Sequence, residues 1–271
     1  RGLGDVYKRQ AVRIAVLLKE VPDTYSDREM NLETGLTDRS GDVVADEVSE
    51  RAVEAALRIA EAAGDSAQVE VEILSVGPES SADSVRRGIA MGASEAYVVS
   101  DDALIGADVT LTAQVLAKLV EKQGYDLVVA GGMSSDGAAG VVAPFVAELL
   151  GWPVLTNLTE LSIDGDSVRA TQASETATVE LSAQLPAVVS VADGFADPRY
   201  PNFKGLMAAK KKELNTVSLA GLGVDPEDFT HPRAIMVDIE RRPERERGEI
   251  IDGNSSAATR LVDFLESKNL I

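Results

Sequence analysis

The run Gly131-Gly-Met-Ser-Ser-Asp-Gly-Ala-Ala-Gly140 carries the residue types that hold a phosphate. Glycines let a backbone come close to a ligand, and a helix opening after the run would point unpaired N–H groups at an anion. Ser134 and Ser135 add hydroxyl donors. The apolar stretch Asp126-Leu-Val-Val-Ala-Gly131 just before it reads as a buried strand, and strand-end loops are where open parallel sheets bind ligands. The plain alternative is a Gly-rich turn between strand and helix. The run is neither G-x-G-x-x-G nor a P-loop. The turn after the first strand, Lys19-Glu20-Val21-Pro22-Asp23, has no glycine, which disfavours a conventional nicotinamide-binding domain.

Two other clusters stand out. Ser75-Val-Gly-Pro78 ends the second strand; a backbone amide there could read an adenine edge, or the stretch is only a strand stop. Ala208-Ala-Lys210-Lys211-Lys212 is a basic cluster in an acidic chain, either a solvated face or a docking point. The chain has no cysteine and one histidine, His231. That removes thiol nucleophiles and Cys-ligated metals, and leaves a hydrolytic triad only a histidine in a loop-like run. No metal site and no catalytic residue is expected. A nucleotide binder without acid–base machinery suits a carrier whose cofactor holds the chemistry.

Alternating elements must position these residues. Strands are expected over Arg13–Lys19, Val69–Val76, Ala96–Val99 and Asp126–Gly131. Helices are expected from an N-cap at Asp46, over Ser81–Met91, from an N-cap at Asp108, and after the Gly-rich loop to about Leu150. Such alternation predicts an α/β fold of Rossmann-like, adenine-nucleotide-binding type: a mainly parallel sheet with helices on both faces. Asp164-Gly-Asp166 then marks a β-hairpin between Val154–Ile163 and Val168–Ala173. Val179–Leu185 and Ala187–Val191 add strands. Arg199–Glu213 reads as a loop with a basic run, and Leu219–Gly253 as irregular chain before a terminal helix carrying Ala258, Leu261, Val262 and Leu265. An α/β domain over residues 11–192, a loop and Lys-rich segment over 193–213, and an extended C-terminal arm over 214–271 follow. Residues 1–10 fit nothing downstream and are expected to be a non-native leader.

A net charge of −19, from 45 acidic and 26 basic residues, repels nucleic acid and anionic lipid. No apolar stretch approaches a membrane span, so membrane insertion is not expected and a bacterial cytoplasmic location is.

Several motifs, in order and spacing, resemble the electron-transfer flavoprotein beta subunits, in their actinobacterial style. They are Ala15-Val-Leu-Leu-Lys-Glu-Val-Pro-Asp23, Asp46-Glu-Val-Ser-Glu-Arg-Ala-Val-Glu54, Ser75-Val-Gly-Pro-Glu79, Arg86-Arg-Gly-Ile-Ala-Met-Gly-Ala93, the Gly131 loop and Leu185-Pro-Ala-Val-Val-Ser190. Asp197-Pro-Arg-Tyr200 and Gly205-Leu-Met-Ala-Ala-Lys-Lys-Lys212 are the most specific. The resemblance runs from about Arg13 to the C-terminus.

It implies a heterodimer with an alpha subunit that holds most of the FAD, and a buried AMP in this chain. The AMP site would use Leu17, Asp46, Glu47, Val48, Ser49, Val76, Gly131, Gly132, Met133, Ser134, Ser135, Asp136, Gly137, Ala138, Ala139, Gly140, Val141 and Val142. Thr24, Tyr25 and Val48 would approach the flavin. Pro198, Arg199, Tyr200, Phe203, Leu206, Met207, Lys210 and Lys211 would dock on acyl-CoA and other dehydrogenases, with Phe203 as the apolar anchor. Electrons would pass on to a flavoprotein–quinone oxidoreductase. The chain departs from the pattern at Ala173-Ser-Glu-Thr-Ala177, at Val179, and at Ala139 and Gly140, which replace polar residues of the phosphate loop. Two further readings stand beside this one: a bifurcating paralogue with a second FAD in place of AMP, and a stand-alone adenine-nucleotide-binding protein of the stress type.

Overall fold

A computed structural model describes residues 12–64, 68–245, 247–251, 253 and 255–271. The expected leader, residues 1–10, lies outside the described residues. The strands are β1 Val12–Leu17, β2 Glu20–Pro22, β3 Val43–Ala45, β4 Val69–Val76, β5 Glu95–Val99, β6 Leu127–Gly131, β7 Val154–Asp164, β8 Ser167–Ala173, β9 Thr178–Gln184, β10 Ala187–Val191 and β11 Asn215–Val217. The helices are α1 Glu47–Ala63, α2 Ala82–Met91, α3 Val109–Gln123, α4 Val142–Leu150, α5 Phe203–Lys211, α6 Leu219–Leu222 and α7 Ala257–Ser267. The chain divides into two compact units, one running to Val237 and the other Asp238–Ile271.

In the first unit, nine of these strands form one sheet in the order β11-β5-β4-β1-β6-β10-β7-β8-β9. The pairs from β11 to β7 are parallel; β7, β8 and β9 run antiparallel. Strand periodicity sends alternate side chains to opposite faces. Ile14 and Val16 enter a core with Val53 and Ala56 of α1 and Val85 of α2. Ala15 and Leu17 enter the other core with Val115 and Leu119 of α3 and Val146 of α4. Helices on both faces match the fold the sequence predicts. The expected hairpin joins β7 to β8, with Gly165 at φ +67°.

Both predicted N-caps form. The Asp46 carboxylate accepts from Ser49 N–H, and that of Asp108 from Leu111 N–H at 2.9 Å. Three stretches differ from expectation. The first, residues 215–222, is expected as the start of the extended arm with irregular chain from Leu219; instead β11 pairs with β5 as an edge strand of the sheet, and α6 buries Leu219 and Leu222. Residues 203–211 are helical, because Asn202 caps α5 by accepting from Gly205 N–H at 2.8 Å. The chain after β1, where the sequence predicts a polar loop from Glu20 to about Ala45, contains the antiparallel ribbon β2–β3.

The strand order places the sheet's switch point. The chain leaves β1 through α1 for β4 on one side, while β6 lies on the other side of β1 and leads into α4 across the sheet. The loops after β1 and β6 therefore diverge, and the sheet's switch point opens between Leu17 and Gly131. In the second unit, α7 has no buried residue, and its Leu261, Val262 and Phe264 are exposed.

Candidate nucleotide site at the switch point

The Gly-rich loop lies at the switch point, and its first two glycines are set by packing. A Cβ on Gly131 would stand 2.9 Å from the backbone carbon of Val48, at the start of α1. One on Gly132 would meet Asn157 Oδ1 at 2.8 Å and the Val191 carbonyl at 2.9 Å. Strand β6 thus ends against helix and strand backbone. Gly131→Ala is expected to displace the first turn of α1 and to cost about 1–3 kcal/mol. Thermal melting of the purified complex, with nucleotide content measured alongside, checks this.

Further along, Ala138 and Gly140 have positive φ, +50° and +67°. They bring the chain to Val141, the N-cap residue of α4, whose side chain makes no capping bond. The first amides of α4 thus have no side-chain acceptor from their N-cap, which suits them to an anion. Behind the loop, Asp46 Oδ1 accepts from Ser135 N–H at 3.0 Å while Oδ2 accepts from Ser49 N–H at 3.1 Å and Ser49 Oγ at 3.2 Å. Buried Asp46 and Ser49 therefore hold the loop in place. The Ser135 hydroxyl is buried and has no partner within the described residues, so it is a donor available to a ligand or water.

Charge in the loop centres on Asp136. Its side chain is 2% exposed and spans two cations: Lys19 Nζ at 2.7 Å from Oδ1 and Arg39 Nη2 at 2.6 Å from Oδ2. Ser134 Oγ and Gly137 N–H also donate to Oδ1, at 2.8 and 2.6 Å. Burial pushes the Asp136 carboxyl up; Lys19, Ser134 and the Gly137 amide outweigh it and hold the group well below the usual carboxylate range. Arg28 donates to the Ser135 carbonyl. The cations Lys19, Arg28 and Arg39 escaped the sequence reading as site residues. The available signal was three basic residues in the loop after the first strand of an acidic chain.

Leu17 and Val76 sit at the ends of adjacent strands. The chain after β2 turns at Asp23, whose Oδ1 accepts from Tyr25 N–H, and leaves Tyr25 98% exposed. Thr24 is exposed beside it.

The remaining predicted residues gather elsewhere, on α5 and the chain before it. Gly205 lets α5 rest on α2, since a Cβ there would stand 2.5 Å from the Ala90 carbonyl. Ala209 is the buried contact of α5. Tyr200 and Phe203 are 89% and 79% exposed, with Leu206, Met207, Lys210 and Lys211 exposed beside them. The Arg87 guanidinium lies 5.3 Å from the Tyr200 ring centre and itself pairs with Glu50 at 2.6 Å. Arg199 turns inward instead. Its Nε donates to Glu54 Oε2 at 2.7 Å, its backbone N–H donates to the same oxygen at 3.1 Å, and its guanidinium also reaches Glu61. So the predicted docking residues divide into an exposed face and one internal tie.

A mainly parallel sheet with helices on both faces and a Gly-rich loop at its switch point defines a Rossmann-like α/β protein. The electron transfer flavoprotein domain matches residues 34–222 of the chain. The electron transfer flavoprotein subunit beta of Mycobacterium leprae is 38% identical over 264 residues, covering 95% of this chain and 99% of that one. Its counterpart from Mycobacterium tuberculosis is 37% identical over 263 residues with the same coverage, and that of Bacillus subtilis 31% over 260 residues, covering 95% and 98%. The chain belongs to the electron transfer flavoprotein beta-subunit family. Among the described residues no helix is long and apolar enough to cross a membrane.

Proposed function

We propose that this chain is the beta half of a heterodimeric electron carrier in the bacterial cytoplasm. An alpha subunit holds most of one FAD, which supplies the redox chemistry when bound. This chain buries an AMP, presents Thr24 and Tyr25 toward the flavin, and docks on dehydrogenases, acyl-CoA dehydrogenases among them, through α5. A flavoprotein–quinone oxidoreductase takes the electrons onward.

The observation that carries the nucleotide assignment is the switch-point loop itself. It combines a helix start without a side-chain cap, an unpartnered buried hydroxyl and two cations around Asp136. The docking assignment rests on α5. A helix that exposes Phe203, Leu206 and Met207 beside Lys210 and Lys211 on a chain of net charge −19 has the features of a binding hot spot with a basic rim. The apolar Leu261, Val262 and Phe264 of α7 suit a partner subunit in the same way.

The heterodimer, mixed anaerobically with a reduced acyl-CoA dehydrogenase, tests the carrier reading. Bleaching of its flavin absorbance within the mixing experiment supports it. A flavin that stays oxidised with each of several dehydrogenases, yet is reduced by dithionite, counts against it.

A further inference from the structure

We propose that Arg87 of α2 is a positioning residue for docking: paired with Glu50 of α1, it holds the Tyr200 ring as a second aromatic anchor, besides Phe203, for a partner whose apolar pocket is rimmed by acidic groups. The inference rests on the docking reading above and deepens it, by adding an anchor that is held by two helices other than α5.

A ring left 89% exposed contributes little to the core, yet Tyr200 has a built seat. The Arg87 guanidinium lies 5.3 Å from its ring centre, within the range of a cation–π contact. Arg87 Nε in turn donates to Glu50 Oε1 at 2.6 Å, and the Glu50 side chain is 15% exposed. The ring therefore rests on a cation that is itself fixed, and the rest of its surface is open to a partner.

The backbone on either side of Tyr200 is fixed as well. Arg51 Nη1 donates to the Phe195 carbonyl at 2.5 Å and to Asp197 Oδ1 at 3.0 Å. Arg199 donates to Glu54 through its backbone N–H and its Nε. On the other side, Asn202 caps α5. Glu50, Arg51 and Glu54 all belong to α1, so one helix carries the chain from Phe195 to Tyr200. An aromatic side chain ordered before contact loses less conformational freedom on binding than a loose one, and Tyr and Arg are among the residue types enriched at hot spots.

Charge sets the chemistry of the partner. Lys204, Lys210 and Lys211 are exposed on the helix that follows Tyr200, on a chain of net charge −19. A basic surface of this kind attracts acidic groups locally, where the bulk charge of the chain would repel them.

The test follows reduction of the heterodimer's flavin by a reduced acyl-CoA dehydrogenase in stopped flow, over a series of dehydrogenase and salt concentrations, with thermal melting as a check on folding. Tyr200→Ala is expected to lower the concentration-dependent rate by about tenfold, while Tyr200→Phe keeps most of it, because the ring carries the contact. Arg87→Met, which keeps an apolar stem and removes the charge, should lower the rate by about two- to fivefold, the size of an exposed cation–π contact. Arg87→Lys should recover most of that loss. In a Tyr200→Ala background Arg87→Met should add little, since the two residues act through one contact, and added salt should slow the wild type. A wild-type rate in Tyr200→Ala, with Phe203→Ala slowed, overturns the proposal and leaves the docking reading standing. Independent, additive losses in the double variant overturn the role of Arg87, and a rate indifferent to salt overturns the acidic rim. Wild-type rates in both Tyr200→Ala and Phe203→Ala remove the docking reading itself, and this proposal with it.

Discussion

Replacing Phe203 by Ala is expected to slow electron transfer from an acyl-CoA dehydrogenase by about 30-fold or more, and to leave flavin content unchanged. Phe203 lies at the start of α5 and is 79% exposed. It contributes little to the fold, so its apolar ring is available to a partner pocket. Truncating a buried aromatic anchor at a protein interface costs about 2 kcal/mol or more, which is about 30-fold in a binding equilibrium. The backbone of α5 should survive, because Asn202 still caps it and Gly205 and Ala209 still hold it to α2. Stopped-flow flavin reduction at a series of dehydrogenase concentrations checks the effect, which should fall on the concentration-dependent rate. An unchanged rate removes Phe203 from the anchor role.

The second large effect is expected at Glu54. This buried carboxylate of α1 accepts from Arg199 through both Nε and the backbone N–H, and from Arg58 Nε at 2.7 Å. It ties the chain leading into α5 to the body of the fold. Glu54→Ala removes the buried acceptor shared by Arg199 and Arg58, while Arg199 keeps Glu61, and losing such charge-assisted hydrogen bonds at a part-exposed site costs about 1–3 kcal/mol. Urea denaturation of the complex measures this. Burial pushes the Glu54 carboxyl up, but the Arg199 and Arg58 bonds dominate and lower it to about 2. A folded-state pKa below the unfolded value of 4.5 means the stabilisation is complete above pH 4.5 and is lost as pH falls toward 2. The variant should therefore lose less stability than the wild type over that acid range. Parallel curves for the two proteins would contradict the assignment.

The alternating elements were legible because each buries a stripe. Val53, Ala56 and Leu57 of α1 and the alternation of β1 both mark core faces, and Asp46 and Asp108 cap helices from positions that sequence alone identifies. Helix α5 left no such mark. Its apolar residues point away from the core and Ala209 alone is buried, so periodicity, which reports burial, had nothing to register. The Gly-rich loop was found by composition, yet Gly131 and Gly132 answer to Val48, Asn157 and Val191, contacts no local pattern encodes. The Asp136 cluster was hidden for the same reason. Lys19 and Arg39 reach it across 117 and 97 residues of chain, and only the sheet's crossover brings them together.

The most direct measurement is the flavin and nucleotide content of the heterodimer. The chain, co-expressed with its alpha subunit, is purified, denatured and its released cofactors quantified against protein. The account predicts one FAD and one AMP per heterodimer. Two FAD without AMP, or a colourless chain that self-associates and retains ATP, would contradict it.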